Sequence, residues 1–425
     1  MRYSEQTIQD CNLLRNAKGN NSVFDLFNHT RTNGGSFALE EMLTDKKSST
    51  DEIAEFHKAL QYTIGNPGQL DLWLYNTDII YLGEYFRLNL VIESGEVAFN
   101  VFLRFSLSKN PTFLFIRSNI IRLAIFLKSI KSLNQLETGP MPGLIKNIIE
   151  TIRACQDEPF IRELLQRDLQ KAGAAYFLKV DSFLRNHFHD KFNQLLDALF
   201  RLEAFCSIAK TTVESKLVFP VIDRSKQLKI RNGYHLLLSK PVKNDFKVAD
   251  DTKLVFLTGA NMAGKSTFFR TVGTIVCLAH SGFPVPAASA EMPFYDDIGI
   301  HISSGDNLAK GYSQFYNEIM EVKMLLDSIT AGRQCFAIFD EVLSGTNIND
   351  AVDCAAILIE RLNHPGYSLV LISSHNIQLA GEIEHDYIQY NYIETFIKEG
   401  KPVFTYQLFP GKNEVRLGLL LFQQL

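Results

Sequence analysis

Gly259, Gly264, Lys265 and Ser266 stand in the order G-x-x-x-x-G-K-[ST]. Each residue type has a reason to be there. Glycines let successive backbone N–H groups turn inward around an anion. The lysine carries positive charge to the end of that cradle, and the hydroxyl beside it can ligate a divalent cation. The chemistry is polyphosphate binding, with Lys265 reaching the β- and γ-phosphates of a nucleotide and Ser266 on Mg²⁺. A Gly-rich turn between core elements would account for the glycines and leave Lys265 unexplained.

A second set of residues lies downstream. Asp340 and Glu341 follow the apolar run Cys335-Phe-Ala-Ile-Phe339, about 75 residues after Lys265. In a phosphate-loop ATPase such a strand is expected beside the loop. Asp340 then belongs to the Mg²⁺ shell, and Glu341 polarises the attacking water as general base. The next apolar run, Ser368 to Ile372, ends in Ser373-Ser374-His375. At that strand tip His375 is placed to sense the γ-phosphate. Ser313 precedes a long helix reaching Leu326 and suits its N-cap. A role for Ser313 at a nucleotide requires a second subunit, because its own loop is far away.

Elements must hold these residues in place. Leu254-Val255-Phe256-Leu257 reads as a buried strand entering the loop, and a helix from about Ser266 to His280 leaves it. That helix aims its positive end at the bound anion. From Val218-Phe219-Pro220 onward short apolar runs alternate with helices: Leu236–Leu238, Leu254–Leu257, Cys335–Phe339, Leu369–Ile372 and Val403–Gln407. Strand–helix alternation predicts an α/β domain. Before it the chain reads as helices. Asp51–Tyr62 places Ile53, Phe56 and Leu60 on one face, and Arg117–Leu133 turns Ile120, Ile121, Ala124, Ile125 and Leu127 inward. Pro159 starts another helix, and Ala174–Lys210 is helical with an interruption at Asn186–His189. The predicted division is a helical domain over 1–211 and a nucleotide-binding domain over 212–425.

Composition narrows the class. The chain has 425 residues, 46% of them hydrophobic, which supports two or three domains with a large core. A net charge of −4 announces no basic field, so any nucleic-acid contact is local. The six cysteines form no C-x-x-C pair. That suits a reducing cytoplasm and argues against a zinc site. His187, His189 and His235 lack partners at metal-ligand spacing. The uncharged stretch Thr271–Ala290 contains His280, Pro284 and Pro286. It reads as a buried helix and loop, and the protein as soluble, without a membrane segment.

Taken together these residues resemble the ATPase domain of the MutS family of DNA mismatch repair proteins. The family's TGPNMGGKST appears as TGANMAGKST over Thr258–Thr267. Its GRSTFMVEM is similar to Gly311–Ile319, its DEIGRGTS to Asp340–Asn347 and its ATH to Ser373-Ser374-His375. Upstream, Val23–Gly34 resembles the family's LLDHTxTxxG, Leu195–Ala204 the exit helix of the helical core, and Asn232-Gly-Tyr-His235 the N-G-R-H before the ATPase sheet. The resemblance implies an α/β P-loop NTPase domain of ABC-ATPase-like type, preceded by an all-α core and lever domain. It implies nucleotide contacts from Gly259, Asn261, Met262, Ala263, Gly264, Lys265, Ser266 and Thr267. It also implies Mg²⁺ on Ser266 and Asp340, catalysis by Lys265, Glu341 and His375, and a homodimer in which Ser313 reaches the partner's ATP. DNA is the implied partner.

Several features depart from the family pattern. The likeness starts at the helical core, so the mismatch-reading and connector domains are expected to be absent, and no Phe-x-Glu wedge occurs in the first 200 residues. The core is short enough that the DNA clamp is expected to be missing or reduced. Ser344 replaces an arginine. The tail from Gly411 ends where the family's helix-turn-helix dimer element begins. No aromatic stands near Pro241-Val242 for adenine stacking, with Tyr234 one substitute. Two other readings start from the same loop. One is an ATP-gated protein scaffold with little DNA binding. The other is a small-molecule kinase, against which Glu341 beside Asp340 speaks, since that pair suits water as the acceptor.

Overall fold

Leu254–Thr258, Cys335–Phe339 and Leu369–Ser373 are buried at every position. An unbroken apolar run suits a strand covered on both faces, the usual state of parallel strands in α/β proteins. The computed structural model places these three side by side. It describes residues 2–15, 19, 21–70, 74–88, 111–136, 141–224, 227–260, 262–302, 314–341, 357, 360–362, 368–373, 385–398 and 401–412. The described helices are α1 (Glu5–Asp10), α2 (Val23–Phe27), α3 (Asn33–Thr44), α4 (Thr50–Gly65), α5 (Pro67–Leu70), α6 (Asn76–Arg87), α7 (Pro111–Ser129), α8 (Gly143–Gln156), α9 (Pro159–Gln166), α10 (Ala174–Phe183), α11 (His189–Glu214), α12 (Lys265–His280) and α13 (Gln314–Thr330). The strands are β1 (Val221–Ile222), β2 (Lys229–Gly233), β3 (Asn244–Lys247), β4 (Leu254–Thr258), β5 (Ser289–Met292), β6 (Asp297–His301), β7 (Cys335–Phe339), β8 (Leu369–Ser373), β9 (Ile388–Lys398) and β10 (Lys401–Pro410). Among the described residues no helix is long and apolar enough to cross a membrane.

The strands form two sheets. A six-stranded sheet runs β10-β9-β4-β8-β7-β6, and a four-stranded one β1-β5-β2-β3. In the larger sheet β9, β4, β8, β7 and β6 are parallel, and β10 returns antiparallel to β9. The acidic strand β7 was expected beside the loop, and the sequence did not say which strand adjoins the loop strand β4. β8 lies between the two, with Leu254 opposite Val370 and Ala337 opposite the same residue on the other side. All three are apolar up to their last residue, so the sequence alone could not rank their order. Leu236–Leu238, expected as a strand, is a turn in which Leu238 N–H donates to His235 O at 3.2 Å. Leu238 is 48% exposed, and the pairing falls instead to the mixed-polarity runs β2 and β3.

The chain divides into two compact units. One comprises Met1–Phe27, Met42–His57 and Thr211–Leu425; the other comprises Asn28–Glu41 and Lys58–Lys210. Met1–Phe27 and Met42–His57, read from the sequence as part of a helical domain over 1–211, fall in the sheet-bearing unit. The contacts explain why. Tyr3 Oη donates to Cys277 O at 2.7 Å, and Lys46 Nζ donates to Tyr295 O at 3.2 Å. Phe27 and Phe56 both pack on Phe283, with ring centroids 5.2 and 5.9 Å away. Gly273, inside α12, leaves room for this packing. A Cβ there would come within 3.1 Å of Cys11 Sγ and 2.9 Å of Ile300 Cδ1. A helical apolar stripe reads the same whichever partner it covers, so periodicity could not assign these segments.

The second unit is helical. Its entry, His29-Thr-Arg-Thr-Asn-Gly34, is pinned to α11. His29 N–H donates to Ser207 Oγ at 2.7 Å, Thr32 Oγ1 donates to Glu203 Oε2 at 2.5 Å, and Gly35 N–H donates to Thr32 Oγ1 at 2.9 Å. Thr32 thereby caps α3. In α7, Ile120, Leu123, Ala124 and Leu127 are buried, but Ile125, expected inward, is 62% exposed. It stands roughly 140° round the helix from Ile120. The expected interruption near Asn186–His189 is present as a π-helical turn over Leu184–Phe188.

His280 closes α12 inside the first unit. Its Nε2 accepts from Tyr295 N–H at 2.9 Å, which leaves Nδ1 to donate to Val276 O at 2.8 Å. Both nitrogens are committed to the neutral ring, and burial pulls the pKa down to about 4. The unfolded chain takes up the proton first as pH falls, so acid removes stability between the ordinary histidine value and about 4. Chemical denaturation is expected to show a loss on the order of 3 kcal/mol between about pH 7 and pH 4 from His280, and a smaller loss in His280→Gln.

Candidate functional site

β4 delivers its C-terminal end to a loop whose backbone leaves the ordinary regions. Gly259 has φ 149°, Met262 φ 69° and Gly264 φ 101°. Left-handed values at Gly264 are free for glycine and strained for other residues. A Cβ at Gly264 would also come within 3.0 Å of the Tyr406 ring. Met262 is strained and 84% exposed, so it is not held there by core packing. α12 begins at Lys265, and Ala263 N–H closes a turn onto Ala260 O at 3.1 Å. The amide groups of the first helical turn face the loop, an arrangement that favours an anion.

Lys265 is buried, and its Nζ donates to Gly259 O at 2.9 Å and Ala260 O at 3.3 Å. Burial lowers its pKa, while the nearby Asp340 and Glu341 pull in the opposite direction. The loop lysine and the two acids therefore share one electrostatic neighbourhood. Ser266 and Thr267 are partly exposed beside it. Asn261, Ser313, Ser344 and His375 lie outside the described residues.

The acids are held by a residue the sequence reading passed over. Ser373, the last residue of β8, donates from Oγ to Asp340 Oδ1 at 2.5 Å and accepts from Glu341 N–H at 2.9 Å. Ser373 is fully buried. Glu341 adopts φ 57°, a left-handed value for a residue with a side chain. Such strain persists where surrounding contacts enforce it, often at a functional position. The signal was a hydroxyl ending an otherwise apolar strand, visible in the sequence but not interpretable without the strand order.

A cavity of about 190 Å³ opens beside Gly264 and Thr267. Leu238, Pro241, Val242, Phe246 and Phe268 give it apolar walls, and Tyr406 stands at its loop side. Tyr234, the aromatic suggested by sequence, is not part of its lining; its Oη donates to Ser215 O at 3.3 Å. Tyr406 sits where the β9–β10 register shifts between Phe404 and Leu408, with φ 59°. A bulge of this kind redirects a side chain. Asn244 holds it: Nδ2 donates to Tyr406 O at 3.0 Å, and Oδ1 accepts from Leu408 N–H at 2.8 Å. Nothing local in the sequence links Tyr406 to the loop.

Residues 255–423 match the family model MutS domain V. Among curated relatives, the DNA mismatch repair protein MutS of Anaplasma phagocytophilum (strain HZ) is 32% identical over 227 residues, which is 52% of this chain and 27% of that protein. The MutS of Streptococcus sanguinis (strain SK36) is 30% identical, covering 53% of this chain and 27% of the relative. The MutS of Chlamydia trachomatis serovar D (strain ATCC VR-885 / DSM 19411 / UW-3/Cx) is 30% identical over 281 residues, or 64% and 33%. The matched part spans about a quarter to a third of the length of these relatives.

Ser373→Ala removes the bridge between the acids and leaves the Glu341 amide without that acceptor. Urea denaturation is expected to show a loss of about 1–3 kcal/mol, the usual cost of breaking a buried hydrogen-bond pair from one side. Ser373→Thr, which keeps the hydroxyl, should lose less.

Proposed function

This chain belongs to the MutS family, and from that premise we propose that it binds ATP with Mg²⁺ and hydrolyses the γ-phosphate. One observation carries the reading. Lys265, just after β4, and Asp340 and Glu341, just after β7, lie at the C-terminal side of the parallel strands β4, β8 and β7, with Ser373 of β8 joining the two acids. Open α/β sheets bind ligands at that end.

The residues present fit the group. The loop 259–265 offers inward amide groups for the phosphates, and Lys265 offsets the charge at the β- and γ-positions. Ser266 and Asp340 supply the hard oxygen ligands that Mg²⁺ prefers. Among the described residues no group of three or more His, Cys, Asp or Glu side chains is placed to hold a metal ion by itself. Phosphate oxygens and water would complete the Mg²⁺ shell, as is usual at nucleotides. When bound, the cation supplies charge neutralisation on those oxygens. Glu341 takes the proton of the attacking water as the bond from the γ-phosphorus to its bridging oxygen breaks. His375 and Ser313 are proposed as γ-phosphate contacts, Ser313 from the partner protomer of a homodimer. The cavity under Tyr406 suits the base, with the ring stacking on it. DNA is the proposed partner, in the cytoplasm and without membrane attachment. The domain assignment we propose is a P-loop ATPase of ABC-like type over 212–425, completed by segments from the first 57 residues.

Phosphate release from Mg·ATP tests this. Glu341→Gln is expected to lower kcat by roughly 10²–10⁴ while nucleotide still binds, and Lys265→Ala to weaken ATP binding. Tyr406→Ala should weaken ATP more than inorganic triphosphate, since base stacking is worth about 1–3 kcal/mol. Equal hydrolysis by Lys265→Ala and wild type would overturn the assignment. DNA affinity that falls steeply with salt and changes with ATP supports the DNA partner; affinity for neither state overturns it.

A further inference from the structure

β6 is the last strand of the larger sheet, so among the described residues one of its edges has no strand partner. An open edge presents its backbone amides to whatever lies near. Here side chains of α1 take them. Thr7 Oγ1 accepts from Ile300 N–H at 3.2 Å, and Asp10 Oδ2 accepts from Ile302 N–H at 2.8 Å. Gln6 Nε2 donates to the same Asp10 oxygen at 2.8 Å. Thr7 and Asp10 are both fully buried. Burying a carboxyl group is costly unless hydrogen bonds offset it, and an apolar side chain would fill the space without that cost. Asp10 is therefore placed for what it holds.

What it holds leads to the acids. His301 lies between the two bonded amides. Its carbonyl accepts from Asp340 N–H at 2.9 Å, and its ring stacks on Phe339 at 5.1 Å with 7° between the planes. β6 and β7 run parallel with His301 opposite Phe339. The last residue of β6 is thus braced on its outer side by Asp10 and bonded on its inner side to the residue proposed to hold Mg²⁺.

We propose that Asp10 is a positioning residue for Asp340: by fixing the end of β6 it sets the backbone from which the Mg²⁺ ligand projects. Its kinetic consequence rests on the ATPase reading. The amino-terminal helix then contributes to catalysis without touching the nucleotide, and a movement of α1 would be felt at the acid pair.

Two measurements on the full chain test this. In Asp10→Ala, hydrogen exchange at the Ile302 and Asp340 amides is expected to quicken, whether or not ATP is present. Its kcat should fall roughly 10- to 100-fold, the scale of a small misplacement of a catalytic group, with ATP affinity changed less than about threefold. Asp10→Asn keeps an acceptor oxygen, and the Gln6 amide can turn to meet it, so this variant should regain most of both properties. A folded Asp10→Ala chain with wild-type exchange and wild-type kcat overturns the proposal. So does a parallel fall of kcat, affinity and melting temperature that Asp10→Asn does not relieve. A wild-type chain that releases no phosphate contradicts the ATPase reading instead, and the exchange data then show whether the brace on β6 stands apart from it.

Discussion

The hydroxyl of Ser373 is the tie on which the site depends. It stands at the end of β8, the strand between the loop strand and the acidic strand. From there it reaches the Asp340 carboxylate and the Glu341 amide together. One buried side chain thus sets both acids relative to the sheet. The three strands it relates are buried along their length, so they do not yield independently. Close packing makes such a core stiff, and its stiffness passes to the residues at the strand ends. Glu341 in a left-handed conformation is one result: the amide is held where Ser373 needs it, and the backbone absorbs the cost.

Much of this site was legible in the sequence, for a physical reason. Strands covered on both faces leave an apolar run with no polar interruption, and β4, β7 and β8 are such runs. The loop was legible because glycine, lysine and serine each perform a task there that few residues can. The shorter strands were not legible. KIRNG, NDFK, SAEM and DIGIH mix charge with apolar residues, and their pairing depends on neighbours far along the chain. Leu236–Leu238 looked more strand-like than any of these and is a turn. Tyr406 and Asp10 were invisible for a related reason. A tyrosine in an alternating strand and an aspartate in a short helix have ordinary explanations until a fold brings each to a distant backbone.

The same reasoning explains the corrected division of the chain. Helix α4 has an apolar face that would serve equally in a bundle, and α1 is too short and polar to show a preference. What assigns residues 2–27 and 42–57 to the sheet-bearing unit is a set of specific polar and aromatic contacts: Tyr3 to Cys277, Lys46 to Tyr295, and Phe27 and Phe56 to Phe283. Hydrogen bonds from α1 to the outer edge of β6 add to these. An exposed edge strand invites pairing with other chains, and covering it is a common remedy. Here the cover is built from the beginning of the polypeptide, so the unit that carries the candidate site is discontinuous in sequence.

The central claim is that residues 259–267, the acids at the end of β7 and the cavity under Tyr406 form one nucleotide site. A crystal structure with Mg²⁺ and a non-hydrolysable ATP analogue tests it most directly. The expected result is a triphosphate wrapped by the 259–265 backbone, Lys265 Nζ on its terminal phosphates, the cation between Ser266 and Asp340, and the base against Tyr406. A nucleotide bound elsewhere, or no nucleotide at saturating concentration, would contradict it.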